Sequence, residues 1–458
     1  WIVRSNAPGL ALILLSGCLD VDLPRSTATG AAAAAAAAAA APAADPWIGT
    51  RQLGAASGSN PAYRVVVDSA GNVYAVGSTT QNLDGQVLTG DKDFFLTQYN
   101  SSGVKQWTRI LGVAAVDTVG HAVAVDTTDA VYVAGYTIGG LDGNVLTGTN
   151  DFFVSKYDAL GVRQWTRQLG VAGVATRGHG VGTDSANNVY VVGYTNGGLD
   201  GNVLTGTRDI FVTKYNSAGA KQWTRLLGAA AAITWTYGGA VSAGGDVIVC
   251  VYRNCNVDWN VLTGTTDFFV TKYDCSGTKQ WTRQMGVAGV STISKGVGMD
   301  TSGNSFVTGR TSGNLDGEVL TGSPDAFVTK YDSAGVKQWT KLLGVAGFGA
   351  YAESAAADSS GNVFMAGYTD GDLDGNVLSF AGNEDFFVTK YDASGTKEWT
   401  RQLGVGVALK YTEAWGVATD AAGSCFLTGN TSGGLDGNTV TGNMDFFVTK
   451  YSSAGVKQ

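Results

Sequence analysis

Carboxylates recur in pairs along this chain. One member sits in a loop of the type Leu-Asp-Gly-Asn, at Asp84, Asp142, Asp200, Asp258, Asp316, Asp374 and Asp436. The other opens a strand-like run, at Asp93, Asp151, Asp209, Asp267, Asp325, Asp385 and Asp445. Paired acids could serve as the two carboxyls of glycoside hydrolysis. They could also hold calcium through oxygen ligands, with Asp142, Asp151, Asp200 and Asp209 as the candidates. An enzyme needs one site, whereas this pattern would make seven. The plainer role is turn capping, each carboxylate accepting backbone N–H bonds. Capping is the expectation, and a structural calcium is the alternative; no other cofactor is expected.

A second constellation varies where the first repeats. Five residues before the end of each innermost strand stand Tyr63, His121, His179, Tyr237, Lys295, Glu353 and Trp415. The loops just before them also differ most between units. Repeat frameworks keep a constant scaffold and place binding on one loop face, so these seven residues are the ligand-binding candidates. His121 and His179 are the only histidines and could act as a general base or bind a metal; solvated rim positions are the expected role. No Ser or Cys nucleophile motif accompanies them, and no phosphate-cradling Gly loop is present. No catalytic residue is assigned, and the chain is expected not to be an enzyme.

Both sets are positioned by a repeat. The stretch from Asp151 to Gly170 reads as a strand, a Gly turn and a second strand, and it recurs from Asp93, Asp209, Asp267, Asp325, Asp385 and Asp445. Trp107, Trp165, Trp223, Trp281, Trp339 and Trp399 are spaced 58, 58, 58, 58 and 60 apart. Each unit holds four strand-like runs with short turns, which is one propeller blade. Innermost strands end at Asp68, Asp126, Asp184, Ser242, Asp300, Asp358 and Asp420, giving seven blades. The predicted fold is all-β: a seven-bladed β-propeller of four-stranded antiparallel blades over 47–458. The run from Trp47 to Gly54 is an outer strand with no blade before it. It is expected to complete the seventh blade and close the ring, which removes exposed sheet edges. The Phe at 95, 153, 211, 269, 327, 387 and 447, and the Tyr four residues later, are expected to pack between blades. The variable residues and the Leu-Asp-Gly-Asn loops are expected to share one rim around the channel.

The pattern Asp-x-Phe-Val-x-Lys-Tyr-Asp-x-x-Gly-x-x-x-Trp-Thr-x-x-Leu-Gly resembles the bacterial β-propeller repeat named for seven blades. The resemblance covers 47–458. It implies extracytoplasmic proteins of mostly unknown function and transfers no catalytic residue. The fourth unit departs most, with Ser242 at the strand-end Asp position and Trp259 after Asp258.

Before the repeats, Arg4 precedes the apolar run Leu10 to Leu15, and small residues follow. This describes a secretory signal, and the run is too short to span a bilayer. Leu15-Ser16-Gly17-Cys18 resembles a bacterial lipobox, in which the Cys is lipidated. Residues 1–17 are therefore expected to be a lipoprotein signal peptide. Residues 18–46, with eleven consecutive Ala, are expected to be a tether. The membrane would be reached through the lipid on Cys18 only. Net charge −8 argues against a nucleic-acid surface. Five Cys fit no zinc spacing, and Cys250 and Cys255 could pair. The expected protein is a bacterial cell-envelope lipoprotein, at the outer membrane or cell surface. Its propeller would bind or scaffold a polysaccharide or an envelope protein. The alternatives are a carbohydrate-active hydrolase or lyase at the channel rim, and a purely structural assembly unit.

Overall fold

The computed structural model describes residues 47–230, 233–256 and 260–458. The signal, the tether, Cys18 and Asp258 lie outside them. Seven four-stranded antiparallel sheets form the propeller, each in simple inner-to-outer order. The first blade runs Ala62–Val67, Val73–Thr79, Asp93–Tyr99 and Lys105–Leu111. Its two middle strands are buried along their whole length. Neighbouring blades cover both of their faces, so they read as nearly continuous apolar runs.

The repeated Phe residues join blade to blade. Phe94 stacks on Phe153 at 5.1 Å, Phe152 on Phe211 at 4.7 Å, and Phe268 on Phe327 at 5.0 Å. Ile210 and Ala326 stand at the first Phe position of the third and fifth units, so no ring pair forms there. Each of seven apolar clusters draws residues from two adjacent blades. The packing role expected for these aromatics is what the structure shows.

The ring closes as the sequence predicts. Strand Arg51–Leu53 pairs with Asp445–Tyr451 in the seventh blade, with Arg51 opposite Val448 and Leu53 opposite Phe446. Below it, the Gln458 N–H donates to the Lys450 carbonyl at 2.9 Å, and the Gly49 N–H donates to the Gln458 carbonyl at 2.7 Å. This outer strand is therefore assembled from two distant segments. Trp47 is 1% exposed and lies 5.4 Å from the Phe426 ring, with Arg51 over it at 5.4 Å. Trp107 sits in the same way against Tyr74, under Arg109. Phe446 stacks on Phe95 at 4.8 Å across the closure.

The paired carboxylates separate into two jobs. Asp151 is fully buried; its oxygens accept the N–H of Thr147 at 2.7 Å and of Gly148 at 2.8 Å. Asp209 does the same for Thr205 and Gly206. A Cβ on Gly170 would stand 1.7 Å from an Asp151 oxygen, which is why Gly follows Leu in the repeat. Asp142 instead holds a left-handed turn (φ 54°) and pairs with Arg163; Asp200 pairs with Lys221. Among the described residues, no group of three or more His, Cys, Asp or Glu could hold a metal ion.

Two expectations need correction. The described Leu-Asp-Gly loops open on the same face as the loops before the variable residues, with Asn150 bridged to Ala175 and Arg208 to Ile233, but their Leu-Asp-Gly parts lie outside the channel rim. They fold outward along the outer strand: Asn144 Nδ2 donates to the Thr166 carbonyl at 3.5 Å, and Asn438 Nδ2 to Thr50 at 3.0 Å. In four blades, through Asn144, Asn202, Asn376 and Asn438, they thereby cover part of the outer backbone edge. Cys250 and Cys255 do not pair. Both are free thiols, Cys250 within a buried strand and Cys255 beyond its end, beside Arg253 Nη1 at 3.5 Å.

Candidate functional site

Each of the seven variable residues sits at a break in register of its inner strand. The pairing skips between Gly120 and Ala122, Gly178 and Gly180, and Thr236 and Gly238. The same skip surrounds Tyr63, Lys295, Glu353 and Trp415. These are β-bulges, which leave one residue unpaired and re-aim its side chain. In six blades a Gly on the adjacent strand makes room; the fourth has Val251 there. A Cβ on Gly135 would stand 1.8 Å from the Val119 carbonyl just before the His121 bulge.

The bulges bring all seven side chains together at one mouth of the channel. His121 stacks on His179 at 4.5 Å, and Tyr63 meets His121 edge-on at 5.4 Å and Trp415 at 6.4 Å. His179 meets Tyr237 at 6.3 Å. Lys295 Nζ lies 4.0 Å from the centre of the Tyr237 ring and 3.6 Å from Glu353 Oε2. The result is a half-buried ring, largely aromatic, around a cavity of about 130 Å³.

Its floor is a residue that the sequence reading missed. Arg64 extends into the channel. Its Nη1 donates to the carbonyls of Tyr63 at 2.8 Å and Trp415 at 2.5 Å, and its Nη2 to Tyr237 at 3.1 Å. The equivalent positions are Ala122, Gly180, Gly238, Gly296, Ser354 and Gly416. Six small residues leave space for one large one. That contrast was present in the sequence beside the variable positions. A second cavity of about 120 Å³ lies beneath the guanidinium, so Arg64 divides the channel in two.

A wider aromatic ring surrounds the first. Tyr194 stacks on His179 at 5.4 Å, Tyr252 on Tyr237 at 6.0 Å, and Tyr368 on Tyr351 at 4.8 Å. Tyr136 lies 5.5 Å from His121. The mouth is thus a funnel with aromatic walls, and its charge is divided. Arg177 and Arg208 stand on the third-blade side. The corresponding repeat positions across the funnel hold Glu413 and Glu384.

Burial sets the protonation of this face. His121 is held down at about 4 by burial, with the Gly178 carbonyl opposing and the charges of Arg64, Arg177 and Lys92 adding. His179 lies well below its ordinary value, through burial, the adjacent His121, and Arg177 and Arg64. Both rings are therefore neutral at pH 7. Burial raises the Glu353 carboxyl against the pull of Lys295 and Arg64. Burial and the neighbouring Glu413 push Glu384 up to about 7.

The chain is similar to proteins of several kinds. It is 23% identical over 457 residues to an uncharacterized WD repeat-containing protein, L264, of Acanthamoeba polyphaga mimivirus, covering 74% of this chain and 31% of that protein. It is 29% identical over 158 residues to the regulatory protein FlaEY of Caulobacter vibrioides, covering 32% of this chain and 16% of that one. The chain thus spans a third or less of the length of these relatives. Among solved structures, it resembles a chain of a mitotic checkpoint complex (13% identity, 88% of this chain and 95% of that one, TM-score 0.45). It also resembles the WD40 β-propeller domain of Doa1 (9% identity, 87% and 95%, TM-score 0.45). The β-propeller repeat model SBBP matches at 48–84, 106–142, 164–200, 280–316 and 338–374. Each match begins in or just before an outer strand and ends in the next Leu-Asp-Gly loop, and the first begins on the closing segment. The corresponding stretches of the fourth and seventh units are outside these matches, and the fourth is the unit whose sequence departs most. Five of the seven units are thus SBBP β-propeller repeats.

Proposed function

We propose that this propeller is a non-enzymatic binding module that takes a polysaccharide in the aromatic funnel at the channel mouth. The observation that carries the reading is the convergence of Tyr63, His121, His179, Tyr237, Glu353 and Trp415 on one cavity, with Lys295 beside Tyr237 and Glu353. The scaffold repeats, yet these positions differ, and bulges aim all seven inward. Tyr and Trp faces suit the apolar faces of sugar rings, and the surrounding polar groups suit hydroxyls. An envelope protein docking through the same aromatic anchors is the alternative partner. The motif at Leu15-Ser16-Gly17-Cys18 supports placing the module at the bacterial cell envelope on a lipid anchor.

One observation favours a second, enzymatic reading. Glu384 and Glu413 form an acid pair in which one carboxyl holds its proton near neutrality, as a hydrolase or lyase acid would. The experiment is a glycan panel read twice, once for binding and once for new chain ends. Binding without turnover is expected. Turnover that Glu384→Gln abolishes would establish the enzymatic reading instead.

A further inference from the structure

The third-blade side of the funnel carries two guanidinium groups held differently from those of the outer strands. Arg109, Arg167, Arg225 and Arg283 are structural. Each donates through Nε to a Gly carbonyl of the next blade's turn. Arg208 instead lies between two rings, 4.1 Å from the centre of Tyr194 and 4.0 Å from that of Trp235. Its Nε and Nη1 are buried without a hydrogen-bond partner. Arg177 covers the Tyr136 ring at 4.2 Å; its Nε has no partner, and its Nη2 reaches Asn150 Oδ1 at 3.4 Å. Among the described residues, neither forms a salt bridge.

Stacking holds a guanidinium flat against an aromatic face and leaves its N–H edge free. A buried charged donor without a partner is costly, and an oxyanion presented to that edge relieves the cost. His179 stands beside both arginines, and its Nε2 is also buried without a partner. Across the funnel, the same scaffold positions hold Glu384 and Glu413, which repel an anion. The two flanks therefore give a bound ligand one orientation.

Resting on the reading of the funnel as a glycan site, we infer that Arg177 and Arg208 form a subsite for an oxyanion substituent of the ligand. The ligand is then an acidic polysaccharide. Its sugar rings lie on the aromatic walls, and its carboxylate or sulfate meets the third-blade flank. Carboxylate and sulfate share the chemistry that the arginines recognise.

The test is a titration of the whole chain with three sets of probes. These are oligogalacturonates, the same oligomers fully methyl-esterified, and sulfated galactan oligomers. The wild type is compared with Arg177→Gln/Arg208→Gln and with Lys337→Gln/Lys397→Gln, which removes two positive charges from the outer circumference. The expected result is that the wild type prefers an acidic set over the ester by on the order of tenfold or more. The arginine variant should lose that preference and the lysine variant keep it. Preference for the galacturonates identifies a carboxylate, and preference for the galactans a sulfate. Equal binding of acidic and esterified oligomers, unchanged in the arginine variant, would overturn the subsite and leave the funnel reading intact. Absence of binding to every set would overturn both.

Discussion

Arg64 of the first blade donates a hydrogen bond across the channel to the carbonyl of Tyr237 in the fourth blade, at 3.1 Å. The same guanidinium reaches Trp415 of the seventh blade at 2.5 Å. One side chain therefore ties three blades at their inner ends. Arg64→Ala would leave three carbonyls facing a void and should lower stability by roughly 3 kcal/mol. Denaturant unfolding checks this. A loss below about 0.5 kcal/mol, the scale of an ordinary surface substitution, would mean that Arg64 is only a passive filler.

The closing segment makes a separate prediction. Trp47 occupies the site that Trp107 and its counterparts fill in other blades, although it reaches it from outside the paired residues. Trp47→Ala should cost about 3–5 kcal/mol, as for other buried aromatics. Hydrogen exchange should show the added opening concentrated in Asp445–Tyr451. Uniform opening of all seven blades would contradict a local closure.

The neutral histidines give a pH dependence with a definite sign. In the unfolded chain His121 takes up a proton near 6.5, whereas in the fold it does so only near 4. The unfolded state binds more protons between those values, so stability is full above 6.5 and falls as pH drops towards 4. Glu353 and Glu384, raised in the fold, act in the opposite sense. The histidine part is isolated by comparing the wild type with His121→Gln/His179→Gln. The variant should lose less stability between pH 6.5 and 4. Parallel curves would show that the histidines are solvated.

The buried carboxylates of Asp151 and Asp209 already accept backbone N–H bonds, and Asp142 and Asp200 already face cations. Melting temperature should therefore be the same in excess calcium and in chelator. Asp151→Ala should cost about 1–3 kcal/mol by leaving two turn N–H groups unsatisfied. A melting point that rises with calcium would restore the cation role for these residues.

Much of this was legible because repetition separates scaffold from variation within one sequence. The period gave the blades, and the unpaired run at Trp47 gave the closure. The disagreement at Tyr63 to Trp415 located the mouth of the channel. The bulges were hidden, since a one-residue skip in pairing leaves no mark on a strand whose flanking residues are mostly small. The outward turn of the Leu-Asp-Gly-Asn loops was hidden too. It depends on Asn144 and Asp142 finding partners on the outer strand, at Thr166 and Arg163. Arg64 was visible as one large residue among six small ones. Its meaning appears only when the ring brings Tyr237 and Trp415 within its reach.

The central claim is that the funnel binds the ligand. It is tested most directly by calorimetric titration of an oligosaccharide selected on the glycan panel. The comparison is between the wild type and His179→Ala/Tyr237→Ala/Trp415→Ala. The Tyr237 and Trp415 carbonyls, not their side chains, hold Arg64, so the floor survives these truncations. The account predicts that binding falls by at least tenfold while the unfolding transition remains cooperative and native-like circular dichroism is kept. Undiminished affinity in the folded variant would contradict it.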